Sequence, residues 1–162
     1  MSFHLKQTAS NNLLKYAHTY KKWFKPETSR ELSYIYFAKL TTRIKGAFIV
    51  RKTADKNNYC ITLLNKPELW PDEKALKHIL IRFDYGNKSD NKKEKNASNA
   101  NANVNPQFRI TYKSDKNHYL FDSLVELIDF YLNNDMNCHF DGIETHLVDV
   151  FKNDRIYDFR IP

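Results

Sequence analysis

The sequence has little glycine, little cysteine and no long apolar run, and each shortage excludes a class of function. Three glycines in 162 residues leave no Gly-rich loop of the kind that cradles nucleotide phosphates. Cys60 and Cys138 are too few for a disulfide framework, and neither belongs to a Cys-x-x-Cys pair. No segment has the apolar length that crosses a bilayer, and no secretory signal is recognisable, so a soluble protein in a reducing compartment is expected. A nucleophile elbow and a His-Glu-x-x-His helix are also missing, and the chain is not expected to be an enzyme. Cys138, His139, Asp141 and His146 carry ligand atoms, but their spacing fits no tetrahedral pattern. Neither metal nor cofactor is expected, and there is no internal repeat.

What is present is positive charge and aromatic bulk. The formal charge is +7, which favours an anionic partner: a phosphoprotein, a nucleic acid or an acidic membrane. The length suits one domain. Over residues 1–22 and into Trp23, the side chains of Leu13, Tyr16, Tyr20 and Trp23 recur at roughly helical spacing, with Lys15, Lys21 and Lys22 off that face. This predicts a helical N-terminal arm packed on the flank of a domain spanning residues 23–162, rather than a basic amphipathic helix for a membrane or a partner, for which its face is short.

Thr28, Ser29, Arg30 and Glu31 read as a capping box with Thr28 as N-cap. The helix it opens should turn Leu32, Ile35, Tyr36 and Leu40 inward. Arg30 falls in the first turn, where exposed amides favour carboxylates over cations. Alone it reads as a solvated charge, unless an anion binds beside it.

Residues 46–53 read as a buried strand opened by Gly46. Arg51 follows its apolar core directly. By itself that arginine is either a charge emerging at the surface or half of an internal ion pair. A polar turn over residues 54–58 leads into a second strand at residues 59–64, so an antiparallel hairpin is expected. Thr53 alone reads as a turn-capping hydroxyl. A third strand over residues 76–82 carries His78, which in isolation reads as a satisfied core histidine. Residues 87–106 are Asn, Lys, Ser and Ala with almost no apolar side chain, which predicts a mobile insertion. Its two glycosylation sequons should be idle without a secretory signal. Residues 108–113 form either the strand after this insertion or the third strand itself. In the second case His78 loses its place. A second capping box, Ser123 to Glu126, opens a helix whose stripe is Leu124, Leu127, Ile128 and Tyr131.

Three of these stretches, in order, resemble the Src-homology-2 family. Gly46, Phe48, Ile49, Val50, Arg51 and Thr53 follow the signature G-x-F-L-V-R-x-S, with Ile for Leu and Thr for Ser. Phe121, Ser123, Leu124, Glu126, Leu127, Ile128 and Tyr131 follow F-x-S-L-x-E-L-I-x-x-Y. Lys77, His78 and Ile81 follow V-K-H-Y-x-I less closely. Trp23 and Phe24, the Ser29-Arg30 step and Tyr59-Cys60 also look like family features, and residues 145–150 look like the family's closing strand. The resemblance spans residues 23–150, interrupted by an insertion that the family does not normally carry.

The resemblance implies an α+β fold, a central antiparallel β-sheet flanked by two α-helices. It also implies phosphotyrosine binding. Arg51 and Arg30 would grip the phosphate from two sides, and Thr53 with the loop residues Ala54, Asp55 and Lys56 would close over it. His78 would brace the pocket. Ile79 and Leu80 would border a specificity pocket, together with the loops 113–120 and 133–142. Leu80 stands where many members carry a base along the phosphotyrosine ring. Cys60 would be a core residue and not a reactive one. The implied function is capture of tyrosine-phosphorylated proteins by a monomeric, cytoplasmic adaptor or competitor in tyrosine-kinase signalling, with low selectivity for flanking sequence. A solitary copy also resembles stand-alone bacterial effectors, which would place it in a host cytoplasm.

Two other classes compete. A basic nucleic-acid binder should interleave cations and aromatics on one sheet face, whereas much of this lysine excess falls in the arm and the insertion. A degenerate domain kept for protein contacts alone would not need both Arg51 and Arg30.

Overall fold

The computed structural model describes residues 17–55, 58–84, 107–110, 119–136 and 142–152. The insertion over residues 87–106, most of the N-terminal arm and the C-terminal tail therefore lie outside the described residues. Strands β1 (Phe48–Lys52), β2 (Tyr59–Leu64), β3 (Leu76–Asp84) and β4 (Gln107–Ile110) form one sheet in the order β1-β2-β3-β4. Every neighbouring pair is antiparallel. Among the described residues two α-helices accompany it, α1 (Arg30–Ala38) and α2 (Leu124–Asn133). The expected α+β architecture is therefore present. Residues 76–84 hold the third place in the sheet and β4 follows the insertion, which decides between the two registers open from sequence.

The register fixes which side chains share a face, because directly opposed residues of neighbouring strands point the same way. Arg51 pairs with Cys60 and Cys60 with Leu80, while Ile49 pairs with Thr62 and Thr62 with His78. These residues form one face. The other carries Phe48, Val50, Tyr59, Ile61, Ile79, Ile81, Phe83 and Phe108. Helix α2 packs on β4 and on a 3-10 turn at Ala17–Tyr20, whose His18 stacks edge-on to Tyr59, so α2 covers this second face. Its Leu124, Leu127, Ile128 and Tyr131 are fully buried, the stripe expected from sequence. Burial of each such side chain contributes about 1.5–3 kcal/mol. Ser123 caps the helix by accepting from the Glu126 amide at 3.1 Å. Glu126 accepts in return from the Asp122 amide at 3.0 Å.

Helix α1 departs from the sequence reading in two ways. Its N-cap is Ser29, whose hydroxyl accepts from the Leu32 amide at 3.1 Å. Thr28 instead is buried, its hydroxyl 3.5 Å from the Tyr36 hydroxyl. The inward face also differs: Ser33 and Phe37 are fully buried, whereas Leu32 and Ile35 are about half exposed. A small serine lets the helix approach closely, and its hydroxyl is satisfied by the Arg30 carbonyl, so Ser33 buries without an unpaired group.

Residues 145–150 do not form the expected strand. Only Val148 bridges, parallel to Ala47, and its amide donates to the Gly46 carbonyl at 2.9 Å. Gly46 has φ +91°, and a Cβ there would lie 2.4 Å from the His146 carbonyl oxygen. Its identity thus follows from both a left-handed backbone and a passing chain. Gly46→Ala is expected to destabilise the fold by about 2–4 kcal/mol, measured by denaturant unfolding. Trp23 and Lys25 line the outer edge of β1, where the Lys25 amide donates to Val50 and the Val50 amide to Trp23.

Candidate functional site

The Arg51 face of the sheet and the start of α1 enclose an open cavity of about 610 Å³. The sheet supplies Arg51, Cys60, His78 and Leu80, and the approach to α1 supplies residues 26–31, Arg30 and Glu31 among them. Lys52, Thr53 and Ala54 close it at the turn after β1.

Arg51 is the least ordinary residue here. It is only 9% exposed. Its Nε lies 3.4 Å from Thr62 Oγ1, its Nη2 is 3.5 Å from Cys60 Sγ and its Nη1 is 3.5 Å from the Lys52 carbonyl. These are long, weak contacts for a guanidinium. Among the described residues no carboxylate forms an ion pair with it. Neither a surface charge nor an internal ion pair is seen for Arg51 among the described residues. The Thr62 hydroxyl is also 2.9 Å from His78 Nδ1. An oxygen that accepts from Arg51 can donate its own proton to an unprotonated His78 Nδ1, which gives one directed chain across β1, β2 and β3.

The same environment keeps His78 neutral. Burial first, then the charges of Arg30 and Arg51, push its pKa down from 6.5 to about 4. An NMR titration is expected to find that value in the free protein. An anion that cancels the two arginine charges should raise it. Folding is linked to the same proton: between pH 6.5 and 4 the unfolded chain binds it and the folded chain does not. That stability contribution is complete above pH 6.5 and is lost as pH falls toward 4. Burial raises the Cys60 thiol pKa, against the opposing pull of Arg51, so this sulfur stays protonated and unreactive at neutral pH. Glu31 at the cavity wall is held below the usual carboxylate range by its own backbone amide and then by Ser29. Its charge is thus occupied at the helix start.

The structure brings Arg30, Arg51, Thr53, Ala54, His78 and Leu80 to this one cavity. Arg30, the first residue of α1, is exposed at its wall. Thr53 contributes less than its position suggests. Its hydroxyl proton is shared between the Asp55 carboxylate and the Asn58 carbonyl, and its oxygen accepts from the Asn58 amide at 3.2 Å. The turn-capping reading thus describes its present bonds. Asp55 binds Thr53 and Asn58 within the turn. Lys56 lies outside the described residues, as do most of the loops 113–120 and 133–142. Ile79 is in the core on the opposite face of the sheet, across from Ile61, and does not line this cavity.

Sequence reasoning missed Thr62. A threonine inside a strand reads as β-branched filler. The pairing register was the only signal that could have set it between Arg51 and His78. Of the four residues whose ligand atoms fit no metal spacing, His146 lies 3.8 Å from Asp135, and the other three are outside the described residues.

No family model matches the sequence, and no curated protein does. Solved structures do resemble it. The solution structure of the VAV1 SH2 domain complexed with a tyrosine-phosphorylated peptide from SLP76 superposes with a TM-score of 0.53 at 22% identity, over 90% of this chain and 82% of that one. The SH2 domain of human VAV1 alone gives 0.49 at 22% identity, over 84% and 74%. CED-2 gives 0.48 at 16% identity, over 83% of this chain and 62% of that one. The likeness to the VAV1 complex, at a TM-score of 0.53, shows the fold to be that of a Src-homology-2 domain.

Proposed function

We propose that the chain is a phosphotyrosine-peptide binding module. The observation that carries this reading is Arg51: a buried guanidinium, on the sheet face of an open cavity, with no carboxylate partner among the described residues. A buried charge without a partner costs several kcal/mol on the order-of-magnitude scale for desolvated ions. The fold keeps that cost only if an anion from outside supplies the missing partner. A tyrosine phosphate carries nearly two negative charges at neutral pH and three acceptor oxygens. A planar guanidinium can meet two of them at once. Arg30 stands at the wall of the same cavity, and Thr53 and Ala54 border it. Leu80 offers apolar surface to an aromatic ring. A structural neighbour is complexed with a tyrosine-phosphorylated peptide, which supports this use of the fold.

The site is a binding site and not a catalytic one on this reading, since its thiol is protonated and its histidine is engaged by Thr62. The module occupies residues 23–162 with an arm before it, acts as an adaptor or competitor in tyrosine-kinase signalling, and works in a cytoplasm. An array of peptides carrying phosphotyrosine, phosphoserine or unmodified tyrosine tests the reading. Capture is expected for phosphotyrosine alone, because phosphoserine is too short to reach Arg51. Equal capture of all three, or steep salt dependence on nucleic acid without any phosphopeptide binding, would overturn it. Repeating the array without residues 87–106 shows whether the insertion limits selectivity.

A further inference from the structure

Helix α1 packs on the core with one side and leaves the other uncovered. Ser33, Phe37 and Leu40 are buried, whereas Glu31, Leu32, Ile35, Ala38 and Lys39 are exposed. At the α-helical repeat these five share one face, with Ile35 at its centre. Leu32 is 51% exposed and Ile35 46%, so the middle of the face is apolar. Apolar surface continues beside it, where Tyr34 stacks on Trp70 at 5.7 Å and Leu69 is exposed. The order of residues along the face is matched about Ile35. Glu31 and Lys39 stand four residues to either side, about 6 Å along the axis, and Leu32 and Ala38 stand three residues to either side, about 4.5 Å. An acid is thus mirrored by a base, and a large side chain by a small one. Neither Glu31 nor Lys39 forms an ion pair among the described residues.

We propose that this face binds a second copy of the chain, the two α1 helices packing antiparallel about a two-fold axis at Ile35. A two-fold interface must be complementary to itself, so that a residue meeting another is met by it in return. Antiparallel pairing about Ile35 satisfies this at every step. Ile35 meets its own copy, Leu32 fits over the small Ala38, and Glu31 faces Lys39, each contact made twice. The alanine permits the interaxial distance of about 8–10 Å that helix packing needs. A carboxylate accepts at both oxygens, so the bond of Glu31 at its own helix start leaves room for an ammonium. The charges also suit the helix dipole, acid at the N-terminus and base at the C-terminus, so the pairing brings no conflict at either end. Stable complexes bury about 1,200–2,000 Å², and a helix of nine residues supplies less. The dimer is therefore weak and concentration-dependent, with a dissociation constant on the order of 100 μM. This inference does not depend on the phosphotyrosine reading.

Sedimentation equilibrium of the full chain, across a concentration range that brackets this value, tests the proposal. A reversible monomer–dimer equilibrium is expected. Ile35→Asp puts two like charges on the axis and should raise the dissociation constant at least about tenfold. Glu31→Lys alone, or Lys39→Glu alone, sets like charges opposite at two places and should weaken the dimer about tenfold. The double exchange of Glu31→Lys with Lys39→Glu should restore it to within about threefold of the original. Thermal unfolding midpoints identify any variant that has lost its fold, and the exposed Ile35 and Lys39 tolerate substitution best. A chain that stays monomeric at millimolar concentration would overturn the proposal. So would a dimer that ignores Ile35→Asp, since it would use another face, or a double exchange no better than either single one, since Glu31 and Lys39 would then not meet.

Discussion

Arg51→Lys is expected to weaken phosphotyrosine-peptide binding by about 100-fold or more, although it conserves the charge. An ammonium is a compact point charge with strong hydration, whereas the guanidinium presents a rigid, planar set of donors. At position 51 the guanidinium is spread across three weak contacts, with Thr62, Cys60 and the Lys52 carbonyl. That arrangement orients it without consuming its best donor directions. A lysine can neither hold this orientation nor bond two phosphate oxygens in parallel. The same substitution at Arg30, which is exposed at the cavity wall, should cost much less, because solvent screens its charge. Isothermal titration of one phosphotyrosine peptide into the three proteins measures both effects.

The second large effect runs the other way. Arg51→Met should stabilise the ligand-free protein by about 1–4 kcal/mol, the range found when buried charges yield to apolar side chains of similar volume, and should eliminate binding. Ile49 and Cys60 neighbour the site on β1 and β2, and Thr62 keeps a hydrogen-bond partner in His78 when the guanidinium is gone. No buried polar group is therefore orphaned by the change. Denaturant unfolding of both proteins, with the slope unchanged, measures the gain. A stabilising substitution that abolishes binding would identify position 51 as a place where stability has been given up for function. A loss of several kcal/mol would instead mean that the guanidinium already has a strong internal partner.

How much of this was legible in the sequence depended on the kind of signal. Helix α2 was read almost completely, because its stripe, its capping serine and its reciprocal glutamate all agreed. The position of Arg51 after an apolar strand was equally plain. Helix α1 was misread at half of its inner face: Leu40 is buried and Tyr36 packs on the core. Leu32 and Ile35 carry the hydrophobic pattern but point outward, while Ser33 is buried through a hydrogen bond to Arg30 that no hydropathy pattern encodes. The closing strand failed for a related reason: the chain near Val148 is placed by one bridge beside Gly46, and a single long-range contact leaves no periodicity. Within the site, the charged residues were visible as oddities, whereas Thr62 and the commitment of the Thr53 hydroxyl to its own turn depended on register.

The most direct test is to follow the Arg51 Nε–H resonance by NMR while a phosphotyrosine peptide is added. The account predicts a large shift and slowed solvent exchange at Arg51, saturating with the bound fraction, and no change with the unphosphorylated peptide. A peptide that binds elsewhere on the protein while the Arg51 signal stays fixed would contradict it.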